Sequence, residues 1–168
     1  MIMSEPNKES EKVKQSKATV CFLVKDNQVL LCLKKKESFG HGYLVGPGGK
    51  IEVGETSEQC VVRETREEIK VAPKYPEKSG TIIFNYFHGG IPEIQEVDFY
   101  IARDWEGEPA ETAEMKPEWF DIDKVPYDRM LPTNQKFIEP MLQGKKVNGT
   151  MTFDEDFKPL SSQLIISD

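Results

Sequence analysis

Residues 49–71 read GKIEVGETSEQCVVRETREEIKV, and the placing of acidic and apolar residues in this stretch organises the rest of the chain. Thr56 followed three residues later by Gln59 is a capping-box signature, with Gly54 just upstream, and predicts a helix over 57–70. Advancing about 100° per residue from Ser57 brings Glu64, Glu67 and Glu68 into one arc. Val61, Thr65 and Ile69, with Val62 at the edge, form a second stripe expected to be buried. Arg66 and Gln59 point away from both. Like charges four apart on a helix repel, so three glutamates in RETREEIK need a reason. A solvated face, salt-bridged through Arg63 and Arg66, is one reason. The carboxylates, however, border the buried stripe instead of standing opposite it. There they repel one another and lose solvent unless a divalent cation binds them. Oxygen-only ligands suit magnesium or manganese rather than zinc.

The whole chain sets bounds on that reading. Its 168 residues are the size of one domain with its own core. With 38% apolar and 30% charged residues it reads as a soluble globular protein. Apolar runs such as ATVCFLV are strand-length, and no stretch reaches a transmembrane span. The first 17 residues are polar, lack an apolar signal region and predict a disordered tail. A net charge of −7 without a basic stripe argues against nucleic acid or an anionic membrane as partner. Cys21, Cys32 and Cys60 lie in apolar patterns with no C-x-x-C spacing, as buried reduced thiols of a cytoplasmic protein would. Two histidines, His41 and His88, are too few for a zinc site.

Along the chain, ATVCFLV and QVLLCLKK flank KDNQ and predict a hairpin with a tight Asp-Asn turn. YLVG is a short strand, PGGK a turn, and GTIIFNYF and EVDFYIA two strands separated by HGGIPEIQ. DWEGEPAETAEM reads as an acidic loop and PEWFDI as a strand with Trp119 and Phe120 in the core. NQKFIEPMLQ starts a helix that Pro140 is expected to interrupt. KKVNGTMTFDE is a last strand with a turn at Asn-Gly, and residues 156–168 a weakly structured tail. Hairpins among irregularly alternating elements predict a mixed sheet covered by helices. The domain is expected over 18–155.

The spacing within 49–71 resembles the Nudix box, G-x5-E-x7-R-E-U-x-E-E-x-G-U, where U is a bulky aliphatic. Gly49, Glu55, Arg63, Glu64, Glu67 and Glu68 match. A chance match somewhere in such a chain has odds of roughly one in 10⁵ at ordinary residue frequencies. Thr65 stands where an aliphatic is usual and Lys70 where the pattern has glycine, which suits a left-handed helix end. Neither change removes an acidic position. The resemblance implies an α/β (α+β) fold, an α/β/α sandwich with a mixed sheet. It also implies a magnesium-dependent hydrolase, with manganese as a substitute, acting on small-molecule nucleotides in which a nucleoside diphosphate is linked to another group. By the same resemblance Glu64, Glu67 and Glu68 hold metal together with the Gly48 carbonyl, and Glu67 or Glu68 is the base. Arg63 and Glu55 pair to brace the loop against the helix. Lys34 and Lys50 flank the site as candidates for the phosphates.

Residues 18–155 as a whole resemble the MutT-homologue branch that hydrolyses oxidised purine nucleoside triphosphates such as 8-oxo-dGTP. That likeness adds Glu114, from the acidic loop, to the metal ligands and Thr19 to the substrate-binding residues. It puts Val45, Leu131, Thr133 and Asn134 at the base-reading positions, where the branch has an asparagine, a tryptophan and two aspartates. All four differ here. Phe39, Phe84 and Tyr86 are candidate stacking walls, or ordinary core. The expected reaction is hydrolysis of a nucleoside triphosphate to monophosphate and pyrophosphate. A nucleotide sugar or dinucleoside polyphosphate substrate, or a binding module without catalysis, are the alternatives, and monomer and dimer both stay open.

Overall fold

A computed structural model describes residues 13–168. Strand β1 (Lys14–Lys25) turns at Asp26 and Asn27, with φ of 52° and 60°, into β2 (Gln28–Lys34). Asn and Asp tolerate this left-handed region, and two such residues make the turn type whose twist matches a hairpin. Short strands β3 (Leu44–Val45) and β4 (Gly48–Lys50) lead into helix α1 (Ser57–Ile69). After β5 (Ala72–Lys74), the long strands β6 (Glu77–His88) and β7 (Ile91–Ala102) form a hairpin closed by Gly89 and Gly90 alone. The segment HGGIPEIQ is thus mostly strand, because two glycines with positive φ suffice to reverse the chain. Strands β8 (Asp104–Glu106) and β9 (Met115–Asp121), helix α2 (Gln135–Leu142), β10 (Lys146–Phe153) and β11 (Pro159–Ser167) complete the chain.

The principal sheet is mixed, in the order β11-β10-β6-β7-β1-β2-β3, with β4 pairing β1 and β9 pairing β2. Strand β7 runs parallel to β1 and antiparallel to β6. A small second sheet joins β5 to β8. Side chains of β1 alternate between layers. Cys21 and Leu23 pack with Val61 and Ile69 of α1 on one face. Phe22 and Val24 pack with Phe137, Ile138 and Met141 of α2 on the other. The result is the three-layer α+β sandwich expected from the sequence, with a core on each side of the sheet.

Helix α1 begins with the expected capping box: Gln59 N–H donates to Thr56 Oγ1 at 3.1 Å, and Thr56 N–H to Gln59 Oε1 at 2.9 Å. It ends at Lys70, which takes the left-handed conformation (φ 66°, ψ 24°) that the glycine of the box would take without strain. Of its predicted inner stripe, Val61, Thr65 and Ile69 are buried, as are Cys60 and Glu68.

Several expectations need correction. Residues 14–17, assigned to a disordered tail, are the start of β1 and pair with Glu93–Glu96 of β7. Their side chains are mostly exposed, so their polarity carried no strand signal. Residues 1–12 of that tail lie outside the described residues. Gly48 and Gly49 form β4 rather than a turn, and the acidic loop contains β8. Asn148-Gly149 is mid-strand in β10, where a Cβ at residue 149 would strike the Gln163 carbonyl of β11. The expected C-terminal tail is therefore mostly β11, the outer strand of the sheet. Helix α2 continues two residues past Pro140, and both, Met141 and Leu142, are buried. Burial of two large apolar side chains, about 1.5–3 kcal/mol each, offsets the roughly 3 kcal/mol cost of an interior proline.

Candidate active site

Arg63 stands at the centre of the α1 surface that carries the glutamates. Its guanidinium donates to both oxygens of Glu55, at 2.6 and 2.9 Å, and to the Lys50 carbonyl at 3.2 Å. A further N–H donates to Glu64 at 2.8 Å and to Glu67 at 3.3 Å. The bidentate pair fastens the loop before the helix onto the helix itself, a geometry that lysine cannot reproduce. These hydrogen bonds hold the Glu55 carboxyl down at about 2.

Glu64 and Glu68 sit deeper. Gly48 N–H donates to Glu68 Oε2 at 3.1 Å. Burial pushes the Glu68 carboxyl up to about 7, and the charges of Glu64 and Glu114 add to the shift. Burial also raises Glu64, against the pull of Arg63. Glu67 is more open, with 59% of its side chain exposed, and lies against Arg63.

Glu114 reaches this group from the loop after β8, which is tied to the end of α1. Ala110 N–H donates to the Ile69 carbonyl at 3.0 Å and Thr112 Oγ1 to the Glu68 carbonyl at 2.7 Å. Lys35 N–H then donates to the Glu114 carbonyl at 2.8 Å. Lys36 Nζ lies 3.7 Å from the Glu114 carboxylate, a partner the sequence did not suggest. Lys34 donates to the Phe39 carbonyl at 2.7 Å. Burial lowers its pKa, and the charges of Glu68 and Glu114 act against that shift.

Among the described residues, no three acidic, histidine or cysteine side chains converge on one point as they stand. The donor set nevertheless fits a hard divalent cation. Glu64, Glu68 and Glu114 supply only oxygen donors, and the charges of Glu64 and Glu114 help to raise the Glu68 carboxyl, with Arg63 paired to Glu64 and Lys36 to Glu114.

An apolar cavity of about 130 Å³ opens between the sheet and α2 and includes Phe39, to whose carbonyl Lys34 is bonded. Phe39, Val45, Phe84, Tyr86, Leu131 and Asn134 line it, so six of the sequence-derived candidates meet there. Phe39 stacks on Tyr86 with ring centroids 5.1 Å apart and meets Phe157 edge-on at the same distance. Three candidates lie elsewhere. Thr19 is fully buried under α1, with its hydroxyl 3.2 Å from Cys60 Sγ. Its neighbour Val20 faces the cavity, because successive strand residues alternate. Lys50 is exposed, with its side chain along a separate groove beside Lys17 and Glu96. Thr133 has φ 71° and is not among the cavity residues. Sequence reasoning missed Gln95, Phe153 and Phe157, which also line the cavity. Gln95 stands opposite Phe84 in the β6–β7 ladder, so that register was the signal that could have found it. Trp119 and Phe120, expected in the core, are partly buried and pack against opposite cores from the outside.

Residues 14–141 match the NUDIX domain. The chain is 40% identical over 135 residues to an oxidized purine nucleoside triphosphate hydrolase of Danio rerio, covering 80% of this chain and 85% of that protein. The Mus musculus protein of the same name is 34% identical over 87% of this chain and 92% of its own. In structure, the MutT protein of Bacillus halodurans superposes with a TM-score of 0.78 at 31% identity, covering 89% of this chain and 97% of that one. On the strength of a domain match that spans most of its length and contains the whole glutamate helix, the chain belongs to the Nudix hydrolase family.

Proposed function

We infer that this protein hydrolyses nucleoside triphosphates to the monophosphate and pyrophosphate, with an oxidised purine nucleotide as the favoured substrate. The observation that carries this reading is Lys34, whose ammonium feels the charges of Glu68 and Glu114 and is bonded to the carbonyl of Phe39, a wall residue of the cavity that it shares with Tyr86. The names of the fish and mouse relatives agree with it.

Nudix hydrolases use divalent metal ions, and magnesium, with manganese as substitute, is the ion proposed here. Glu64, Glu68, Glu114 and the Gly48 carbonyl would hold it, with Glu67 swinging in from Arg63. When bound, the ion neutralises phosphate charge and lowers the pKa of a water molecule. The chain's own residues do the rest. Lys34, tethered to Phe39, presents an ammonium between cavity and carboxylates, where the triphosphate of a base-bound nucleotide would lie. Glu67 or Glu68 takes the proton of the attacking water, a role for which a carboxyl raised towards neutrality is suited. Arg63 holds Glu55 and Glu64 in fixed positions throughout. A cytoplasmic setting belongs to the same reading, since Cys21, Cys32 and Cys60 are all free and buried.

The test is phosphate release coupled to pyrophosphatase over normal and oxidised nucleoside triphosphates with magnesium. Nucleotide sugars and dinucleoside polyphosphates are assayed beside them with added phosphatase. Dominant turnover of an oxidised purine triphosphate is the expected result. Turnover confined to the second group would move the enzyme to a different diphosphate substrate, a reading favoured by the apolar Val45 and Leu131 in the cavity wall. Silence throughout, with magnesium still bound, would leave a binding module.

A further inference from the structure

The cavity wall carries no charged side chain, and its only amides are Gln95 and Asn134. They come from different layers. Gln95 lies on the sheet floor in β7, held between Phe84 of β6 and Ser16 of β1 by the two ladders. Asn134 caps the start of α2, yet makes no side-chain capping bond. Neither amide has a side-chain hydrogen bond to another described residue.

Gln95 and Asn134 are half-buried, and amides without a protein partner in an otherwise apolar wall have donors and acceptors free for a ligand. A cavity of this size matches the roughly 150 Å³ apolar voids that accept a single aromatic ring. Apolar walls favour a flat ring by burial, but they discriminate weakly between rings of one shape. Discrimination by several orders of magnitude needs hydrogen-bonding groups that a wrong ligand leaves unpaired. A glutamine amide offers one acceptor and two donors, and pairs in bidentate fashion with a base edge that presents a donor beside an acceptor.

We propose that Gln95 is a specificity-determining residue that, opposite Asn134, reads the edge of a neutral purine base carrying adjacent donor and acceptor groups. This rests on the nucleotide reading above, since it takes the cavity's occupant to be a base. Gln95 touches neither phosphate nor carboxylate cluster, so its effect falls on the ranking of bases and on KM, not on the hydrolytic step.

The experiment compares kcat/KM for guanine, adenine and their 8-oxo triphosphates in the wild type and in Gln95→Met, which keeps length and removes donor and acceptor. The expected outcome is at least a tenfold narrowing of the ratio between best and worst base, carried mainly by KM of the best substrate. Gln95→Glu, which keeps the shape and an acceptor but loses the donors, should reorder the bases, and it carries the test if the methionine variant does not fold. An unchanged ranking within twofold in an active folded variant overturns this inference alone. A wild type inactive on every triphosphate overturns the triphosphate reading and this inference with it.

Discussion

The backbone of Gly49 lies flat against the carboxylate of Glu64, so close that a methyl group at residue 49 would overlap all three carboxyl atoms. At Gly48 a methyl group would instead strike the Thr19 carbonyl in the β1–β4 ladder. One of these two glycines faces a side chain that can swing, and the other faces backbone that cannot.

Ala substitution should therefore separate the two glycines. Gly49→Ala is expected to displace Glu64 and cut turnover tenfold or more, while urea unfolding moves little. Gly48→Ala is expected to cost about 2 kcal/mol or more of stability, in the range for overpacking against fixed backbone. Denaturant midpoints and kcat measured on both proteins check the split; equal stability losses would contradict it.

Cation binding should release protons. The Glu68 carboxyl, raised to about 7 by burial and by neighbouring carboxylates, is partly protonated at neutral pH, and a cation binds the ionised form. Affinity for magnesium should thus rise with pH between about 6 and 8. Titration calorimetry at pH 7 in two buffers of different ionisation enthalpy measures the proton count directly. Glu68→Gln should abolish the release and reduce turnover by two orders of magnitude or more.

Asp98 supplies a pH dependence of stability. Burial alone would raise its carboxyl, but hydrogen bonds from Ser57 and Thr81, both at 2.6 Å, and from Lys78 outweigh it and hold the carboxyl below its ordinary value. A depressed folded pKa adds stability that is present above the unfolded value near 4 and is lost as pH falls through the folded value. Asp98→Asn should cost about 2 kcal/mol at pH 7, the scale of charge-assisted hydrogen bonds, and markedly less near pH 3. Thermal melts at the two pH values test this.

Lys70→Gly should stabilise the protein. A lysine at φ 66° bears the left-handed penalty of about 1–2 kcal/mol, which glycine relieves at some entropic cost to the folded state. A net gain of about 1 kcal/mol with unchanged turnover is expected from urea denaturation.

The features legible in the sequence were those set by local chemistry. The Thr56–Gln59 box, the Asp26-Asn27 turn and the inner stripe of α1 depend only on neighbours a few residues away, and all are present. The Arg63–Glu55 pair was legible from the box spacing. Features that depend on which strands lie side by side were not. Asn148-Gly149 looked like a turn because the close approach of Gln163 belongs to a strand read as tail. Thr19 and Val20 differ by one residue, yet only the pairing with β4 and β7 decides which faces the cavity. Lys36 meets Glu114 across 78 residues of sequence, a partnership that nothing local could announce.

The loop from Gly107 to Glu114 terminates helix α1 through Ala110 and Thr112, and also delivers Glu114. One segment thus sets the offset between two groups of carboxylates, and its length is a dimension of the site. At the Gly89-Gly90 hairpin tip, where a Cβ would meet no neighbouring atom, the chain has room for inserted residues. A single residue added between Ala110 and Glu114 would move a charge relative to the helix it faces. Variation in length among descendants of this sequence should accumulate at the first place and be purged from the second.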